Sequence, residues 1–114
     1  MAAGSLRKTM NNSDVNYCKM PDGTLLCWGY VEQHVNAADW TAWGSEYYAR
    51  ITPNITWAVP FISAPYIFAT TYWGDAYTGD VRGTATQCND FYAYRARNTD
   101  VDLKFNILAV GRWK

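Results

Sequence analysis

The chain lacks nearly everything from which a metal centre or an active site is ordinarily built. Its one histidine, His34, has no HxH, HExxH or cysteine pair beside it, so the ligand spacing of a metal site is missing. No G-x-S-x-G, P-loop or dinucleotide fingerprint occurs, which removes the common ways of raising a nucleophile or cradling a phosphate. Cys88 and His34 can be drawn as nucleophile and base, but no motif brings them together. Asp75, Asp80, Asp90, Asp100 and Asp102 fall in no EF-hand or glycine-repeat loop, and scattered aspartates at strand ends are ordinarily turn formers. No metal, no cofactor and no catalytic residue is expected, so the chain does not read as an enzyme.

Net charge is missing too. Ten basic and ten acidic residues cancel, at a sequence pI of about 6.5. Nucleic acid calls for a clustered basic face and an anionic bilayer for a polybasic segment, so neither partner is expected. No apolar run approaches the ~20 residues of a membrane-spanning helix, and no membrane insertion is expected. The opening Met-Ala-Ala-Gly-Ser-Leu-Arg-Lys lacks the apolar core of a secretory signal, so the chain is expected to stay in the cytosol or to belong to something larger. Three cysteines make an odd count, which argues against a complete disulfide framework. Met20-Pro21-Asp22-Gly23-Thr24 suits a type I turn with Gly23 as a left-handed bulge. That register sets Cys18 opposite Leu26 and leaves Cys27 on the other face, predicting free thiols. A two-residue Asp-Gly turn would oppose the two cysteines instead.

Helical periodicity is absent, and aromatics are abundant. Six Trp, nine Tyr and four Phe make up 17% of the chain, as in strands and in binding surfaces. Residues 1–14 are small, polar and basic and read as a flexible lead-in or linker to one domain over 15–114. Strands are expected at 15–20, 25–32, 47–52, 55–61, 66–73, 81–87, 91–97 and 101–113, with breaks at Pro53-Asn54, Ser63-Ala64-Pro65, Asn89-Asp90 and Asn98-Thr99-Asp100. This spacing predicts an all-β fold, a small antiparallel β-sandwich of about six to eight strands.

Two strands carry a further message. Val101, Leu103, Phe105 and Ile107 alternate with Asp102, Lys104 and Asn106, but from Ile107 to Val110 both faces become apolar. In Tyr66–Trp73 neither face is charged: Tyr66, Phe68, Thr70 and Tyr72 oppose Ile67, Ala69, Thr71 and Trp73. Strands apolar on both faces in so small a domain predict an aromatic subunit interface. The alternative is a central strand in a tight sandwich.

Loops that mix aromatics with charges are the candidate binding elements. They are Glu32–Glu46, with Trp40 and Trp43, and Trp73–Asp80, with Asp75, Tyr77 and Asp80. Arg95, Arg97 and Asp100 lie at the next break. An aromatic plate with Asp, Asn and Arg at its rim is how sugar sites are commonly made. If successive strands alternate direction, Pro21–Thr24, Pro53-Asn54, Gly74–Asp80 and Asn98–Asp100 share one end, with the tryptophan loop at the other. Asp75, Tyr77, Asp80, Arg97 and Asp100 are therefore the first candidates for a ligand, with Trp40 and Trp43 behind them.

Three motifs then fall in order. Lys19-Met-Pro-Asp-Gly-Thr-Leu-Leu-Cys-Trp-Gly29 resembles the opening hairpin of C-terminal receptor-binding domains of bacteriophage tail fibres and related tail proteins. Phe61-Ile-Ser-Ala-Pro-Tyr-Ile67 is similar to the "F-x-x-x-P-x-(V/I)" segment that follows there, and Ile107-Leu-Ala-Val-Gly-Arg-Trp113 to the closing "A-x-G-x-W" strand. One departure is Trp57-Ala58, where relatives often carry an aromatic-proline pair. The resemblance spans roughly residues 17 to 114. It implies a homotrimer of β-sandwiches at the fibre tip, similar in architecture to the H-type lectins, although no lectin ligand residues match. It also implies that Leu108, Val110 and Trp113 join Tyr66, Phe68 and Tyr72 near a threefold axis or neighbouring subunit. The function implied is non-enzymatic adhesion to a host-surface receptor, a saccharide, by a virion component made in the host cytoplasm and joined to the rest of the fibre. A structural trimerisation cap without ligand and a free-standing lectin are the alternatives.

Overall fold

Residues 101–113 open in strict alternation and become apolar on both faces from Ile107, and in the fold that strand lies inside a sheet with a neighbour on each side. The computed structural model describes residues 2–6 and 14–114, with side chains from Asn16 onward apart from that of Asp80. Among these residues there are ten strands. They are β1 (Ala2–Leu6), β2 (Asp14–Lys19), β3 (Thr24–Val35), β4 (Thr41–Trp43), β5 (Glu46–Ile51), β6 (Ile55–Thr56), β7 (Tyr66–Trp73), β8 (Tyr77–Gly83), β9 (Gln87–Arg95) and β10 (Val101–Arg112). One 3-10 turn, Ala37–Asp39, interrupts them.

The strands form two antiparallel sheets, an all-β arrangement consistent with a β-sandwich. The first sheet runs β1-β2-β3-β10-β7. In the second, β9 is central: β8 lies along one edge, and β5 followed by β6 lies along the other, with β4 outside β5. Leu25, Cys27, Val31 and Val35 of β3 and Leu103, Phe105, Ile107 and Ala109 of β10 share one buried cluster with Ala49, Ile51, Cys88, Phe91 and Ala93 of the second sheet. Phe91 and Phe105 meet edge to face across the sheets, with centroids 4.8 Å apart. Burying each such large side chain contributes roughly 1.5–3 kcal/mol, so this interlayer cluster is the main source of stability.

The β2–β3 hairpin follows from its turn residues. Gly23 takes φ +100, and Cys18 faces Leu26 while Tyr17 faces Cys27. The bulged register therefore holds, and Cys18, Cys27 and Cys88 are free thiols. A Cβ on Gly23 would stand 2.3 Å from Nη2 of Arg112, whose guanidinium donates to Asp22 O at 2.6 Å.

Several boundaries differ from the sequence reading. Ten strands replace the expected six to eight, because the tryptophan loop supplies β4 and the lead-in includes β1 along β2. Met1 and residues 7–13 of that lead-in lie outside the described residues. Only Ile55 and Thr56 of 55–61 are strand. Trp57, next in the alternation, donates its backbone N–H to Thr86 O and its indole N–H to Thr84 O, while Phe61 N donates to Ala85 O. The buried parity of Ile55, Trp57 and Phe61 is kept, but the ladder is replaced by anchoring to a turn. The strands expected at 81–87 and 91–97 begin four residues earlier, as β8 and β9. The Asn89-Asp90 break falls inside β9, because Asp90 is buried against Arg50 and so does not need to make a turn.

Pro53-Asn54 is no reversal either. β5 and β6 pair antiparallel with the same strand, Ile51 opposite Phe91 and Ile55 opposite Cys88. The chain jogs and continues, so every later loop changes ends. The 36–40 segment, Gly74–Ala76 and Asn98–Asp100 gather at one end of the molecule, tied by Ala37 N to Asp100 Oδ1 at 2.7 Å and Trp40 Nε1 to Thr99 O at 3.0 Å. The Pro21–Thr24 turn sits at the opposite end with Trp113, whose N–H donates to Gly23 O at 2.9 Å.

Candidate functional site

Strand parity builds an aromatic platform on the outer face of the second sheet. Ala49 and Ile51 of β5 and Phe91 and Ala93 of β9 point into the core, so Tyr48, Arg50, Tyr92 and Tyr94 must point out. Cross-strand register then places them side by side. Tyr48 pairs with Tyr94, Arg50 with Tyr92, and Tyr77 of β8 with Tyr94 from the other edge. Trp43 reaches the same face from β4 through a turn in which Gly44 takes φ +62. The ring of Trp43 lies 5.4 Å from that of Tyr94, and Tyr48 meets Tyr92 edge-on at 5.6 Å. Trp43, Tyr48, Tyr92 and Tyr94 line a concavity of about 300 Å³.

Charged groups rim the platform. Asp90 accepts from Arg50 Nε at 2.7 Å, and Arg82 Nε stands 3.9 Å from its other oxygen. The Arg82 guanidinium lies 5.5 Å above the Tyr92 ring, close enough for the ring's negative face to attract it. At the opposite rim, the Tyr77 hydroxyl donates to the Glu46 carboxylate. That hydrogen bond holds the phenol above its ordinary pKa. Rings on a rigid sheet offer flat, negative faces to the weakly positive C–H face of a sugar. The charged rim offers donors and acceptors for hydroxyl groups and for an acidic substituent.

The structure gathers some of the residues singled out in the sequence and separates others. Trp43 and Tyr77 belong to the platform. Asp75 and Arg97 form an exposed ion pair at 2.5 Å in the end loops, beside a concavity of about 330 Å³ that also includes Trp73 and Arg95. Asp100 caps the backbone N–H of Ala37. Trp40 is buried with its indole N–H bonded to Thr99 O, and Arg95 lies 5.5 Å over its ring. Trp40 is therefore a core residue that closes the end of the sandwich, not an exposed plate. The Asp80 side chain lies outside the described residues. The Trp73–Asp80 loop is in fact only Gly74, Asp75 and Ala76, since β8 begins at Tyr77.

Tyr66, Phe68, Tyr72, Leu108 and Val110 share the outer face of the first sheet. Leu26, Val110 and Tyr66 form one row across β3, β10 and β7, and Trp28, Leu108 and Phe68 form the next. Tyr66 is 78% exposed, Phe68 56% and Leu108 39%, so a large apolar surface faces outward. Trp113 is not on it. Its indole N–H donates to Met20 O at 2.9 Å, and Lys19 lies 4.9 Å over its ring. It clamps the first hairpin because its odd parity points it away from Leu108.

The drawn nucleophile and base do not form a working pair. Cys88 is buried on the inner face, where desolvation pushes its thiol up to about 12. His34 is exposed and engages Asp102 Oδ1 at 2.7 Å and Asn36 Oδ1 at 3.1 Å. Among the described residues no three His, Cys, Asp or Glu side chains gather as a metal site.

Tyr48, Arg50, Arg82, Asp90, Tyr92 and Tyr94, which make up this platform and its rim, are not among the candidates that the sequence offers. The signal was present in Ala49–Ile51 and Phe91–Ala93, where small or apolar inward residues alternate with outward tyrosines. Compared with protein-family models, curated proteins and solved structures, the chain matches none of them.

Proposed function

We propose that this domain is the non-enzymatic receptor-binding tip of a bacteriophage or prophage tail fibre, a homotrimer that holds a host-envelope saccharide on the platform of its second sheet. The observation that carries the binding part is the cluster of Trp43, Tyr48, Tyr77, Tyr92 and Tyr94, fixed outward on paired strands between Glu46 and the Arg50–Asp90–Arg82 group. Rings kept on a sheet rather than a mobile loop lose little freedom when a ligand arrives. The site thus moves from the loops to a sheet face, with Trp43 and Tyr77 retained.

The opposite outer face supports the assembly. An exposed patch holding Trp28, Tyr66, Phe68 and Leu108 is the kind of surface that a stable contact covers. Trimer contacts on the first sheet leave the platform on the second sheet open, so one subunit serves both purposes. In the virion such a domain joins the remainder of the fibre and meets the host surface.

Two measurements test the proposal. Binding to a panel of bacterial envelope glycans should be detectable and should weaken about tenfold in Tyr94→Ala. If no glycan binds, the domain is a structural cap. Light scattering should give the mass of three chains, and a monomer would remove the fibre-tip reading.

A further inference from the structure

We infer that the ligand is an acidic oligosaccharide of two or more units, with a sugar carboxylate on Arg50 between the aromatic platform and a polar pocket beside it. This inference rests on the saccharide-binding reading above and goes further, to the chemical class of the ligand.

The pocket is made by the jog at 52–54. β5 leaves the ladder after Ile51, and its backbone groups are taken over by one side chain from the first sheet. Gln33 donates to Arg50 O at 3.3 Å and accepts from Thr52 N at 3.0 Å. Asn54 adopts φ 53, and pairing resumes at Ile55 opposite Cys88. The gap left in the sheet is a concavity of about 370 Å³ whose polar lining comes from Arg50, Thr52, Asn54, Thr56, Gln87 and Asn89. Hydroxyl and amide groups of this kind can both donate to and accept from sugar hydroxyls.

Arg50 joins this pocket to the platform. It lines the pocket, and its cross-strand partner is Tyr92, which lines the platform. A chain of sugar units crossing the sheet passes from ring faces to hydroxyls and amides over this one residue.

The charge at the crossing selects the ligand. Among the described side chains, Arg50 and Arg82 share the one carboxylate of Asp90, which leaves one positive charge over. Arg50 commits Nε to Asp90, yet its side chain is 63% exposed, so its terminal N–H groups can reach a ligand. A planar guanidinium edge matches a carboxylate in two parallel hydrogen bonds. Glu46, the acidic group at the other rim, is already engaged by Tyr77 and repels an anion there. An acidic unit is therefore drawn to the Arg50 end, with a neutral ring over Trp43 and Tyr94.

The test uses a panel of galacturonate-, glucuronate- and sialate-containing tetrasaccharides, each beside its methyl ester, which has the same skeleton without the charge. At least one acid should bind, with its ester weaker by about tenfold or more, the size of a charge-assisted hydrogen bond. Arg50→Gln should remove that difference while changing ester affinity by less than about threefold, within the effect of one neutral contact. If that variant fails to fold, NMR of the unaltered protein serves instead. The Gln87 and Asn89 side-chain amides should then shift with tetrasaccharides and stay still with monosaccharides. Equal affinity for acids and esters, or still amides, would overturn this inference and leave saccharide binding intact. No binding by any acid or ester, or by any neutral glycan, would overturn both.

Discussion

The ring of Tyr77 lies over that of Tyr94, with centroids 5.3 Å apart and planes only 17° from parallel. The two come from neighbouring strands, Tyr77 directly opposite Tyr94, so ladder register alone sets the stack. Gly79 makes room for it: a Cβ there would stand 2.9 Å from the Tyr94 ring. Tyr94→Ala is expected to lower glycan affinity about tenfold, from the loss of roughly 1 kcal/mol of ring contact and the spread of its neighbours. Stability should fall by about 1 kcal/mol. Gly79→Ala should tilt the ring and weaken binding without removing any contacting group. Calorimetric titration and thermal melts on both variants check this, and unchanged affinity in Tyr94→Ala sinks the platform.

Leu108 offers the cleanest separation of assembly from folding. It points outward from the interior strand β10 between Trp28 and Phe68, while its neighbours Ile107 and Ala109 are buried. Leu108→Glu is expected to give folded monomers, since a charge in the middle of an apolar contact costs several kcal/mol when buried. Sedimentation and circular dichroism read the two effects separately. Truncation after Asn106 would not, because it removes Ile107 and Ala109 from the core.

Cys27 and Cys88 should be inert in the native protein. Burial pushes their thiols up to about 11 and about 12, respectively, so the thiolate that attacks an alkylating agent is scarce at neutral pH. Iodoacetamide at pH about 8, near the ordinary thiol pKa, is expected to leave both unmodified until denaturant is added. Peptide mapping by mass spectrometry counts the adducts. Fast labelling of either residue in the folded state would contradict their placement in the core.

His34 ties β3 to β10 through Asp102 and gives the fold a small pH dependence. The hydrogen bond to the Asp102 carboxylate raises its pKa above the ordinary value, against a weaker opposing effect of desolvation. A folded pKa above the unfolded one means that the stabilisation is complete below about 6.5. It is lost as the pH rises through the raised value. The melting-temperature gap between the protein and His34→Gln should therefore be widest near pH 6 and close in alkali, by a small amount because the pair is exposed. A gap that widens with pH would reverse the assigned sign.

Much of this architecture can be read in the residues. The 66–73 and 101–113 segments are long alternating or largely apolar runs without a proline, and Pro21-Asp22-Gly23 favours the bulged hairpin register. Both signals are local, so they survive without knowledge of the fold. Pro53-Asn54 misleads because a proline-asparagine pair is compatible with a reversal and with a jog. What decides between them is Gln33, nineteen residues from Thr52 in sequence. Asn89-Asp90 misleads for the same reason, since the arginines that let Asp90 stay in a strand come from β5 and β8. Once the Pro53-Asn54 jog is taken as a reversal, strand parity assigns the later loops to the wrong ends. The outward tyrosines of β5 and β9 were legible as a pattern, but only cross-strand register makes them one surface.

The position of β10 has a kinetic side. Its partners in β3 run from Val35, opposite Val101, to Thr24, opposite Arg112, so the middle of the first sheet joins segments far apart in sequence. Closing such distant pairs is slow, and until they close β3 presents an unpaired edge. The second sheet needs no residue beyond Arg95, whereas the first is incomplete without β10. A chain caught between those two stages has β3 open along one edge, the kind of surface through which folding intermediates associate.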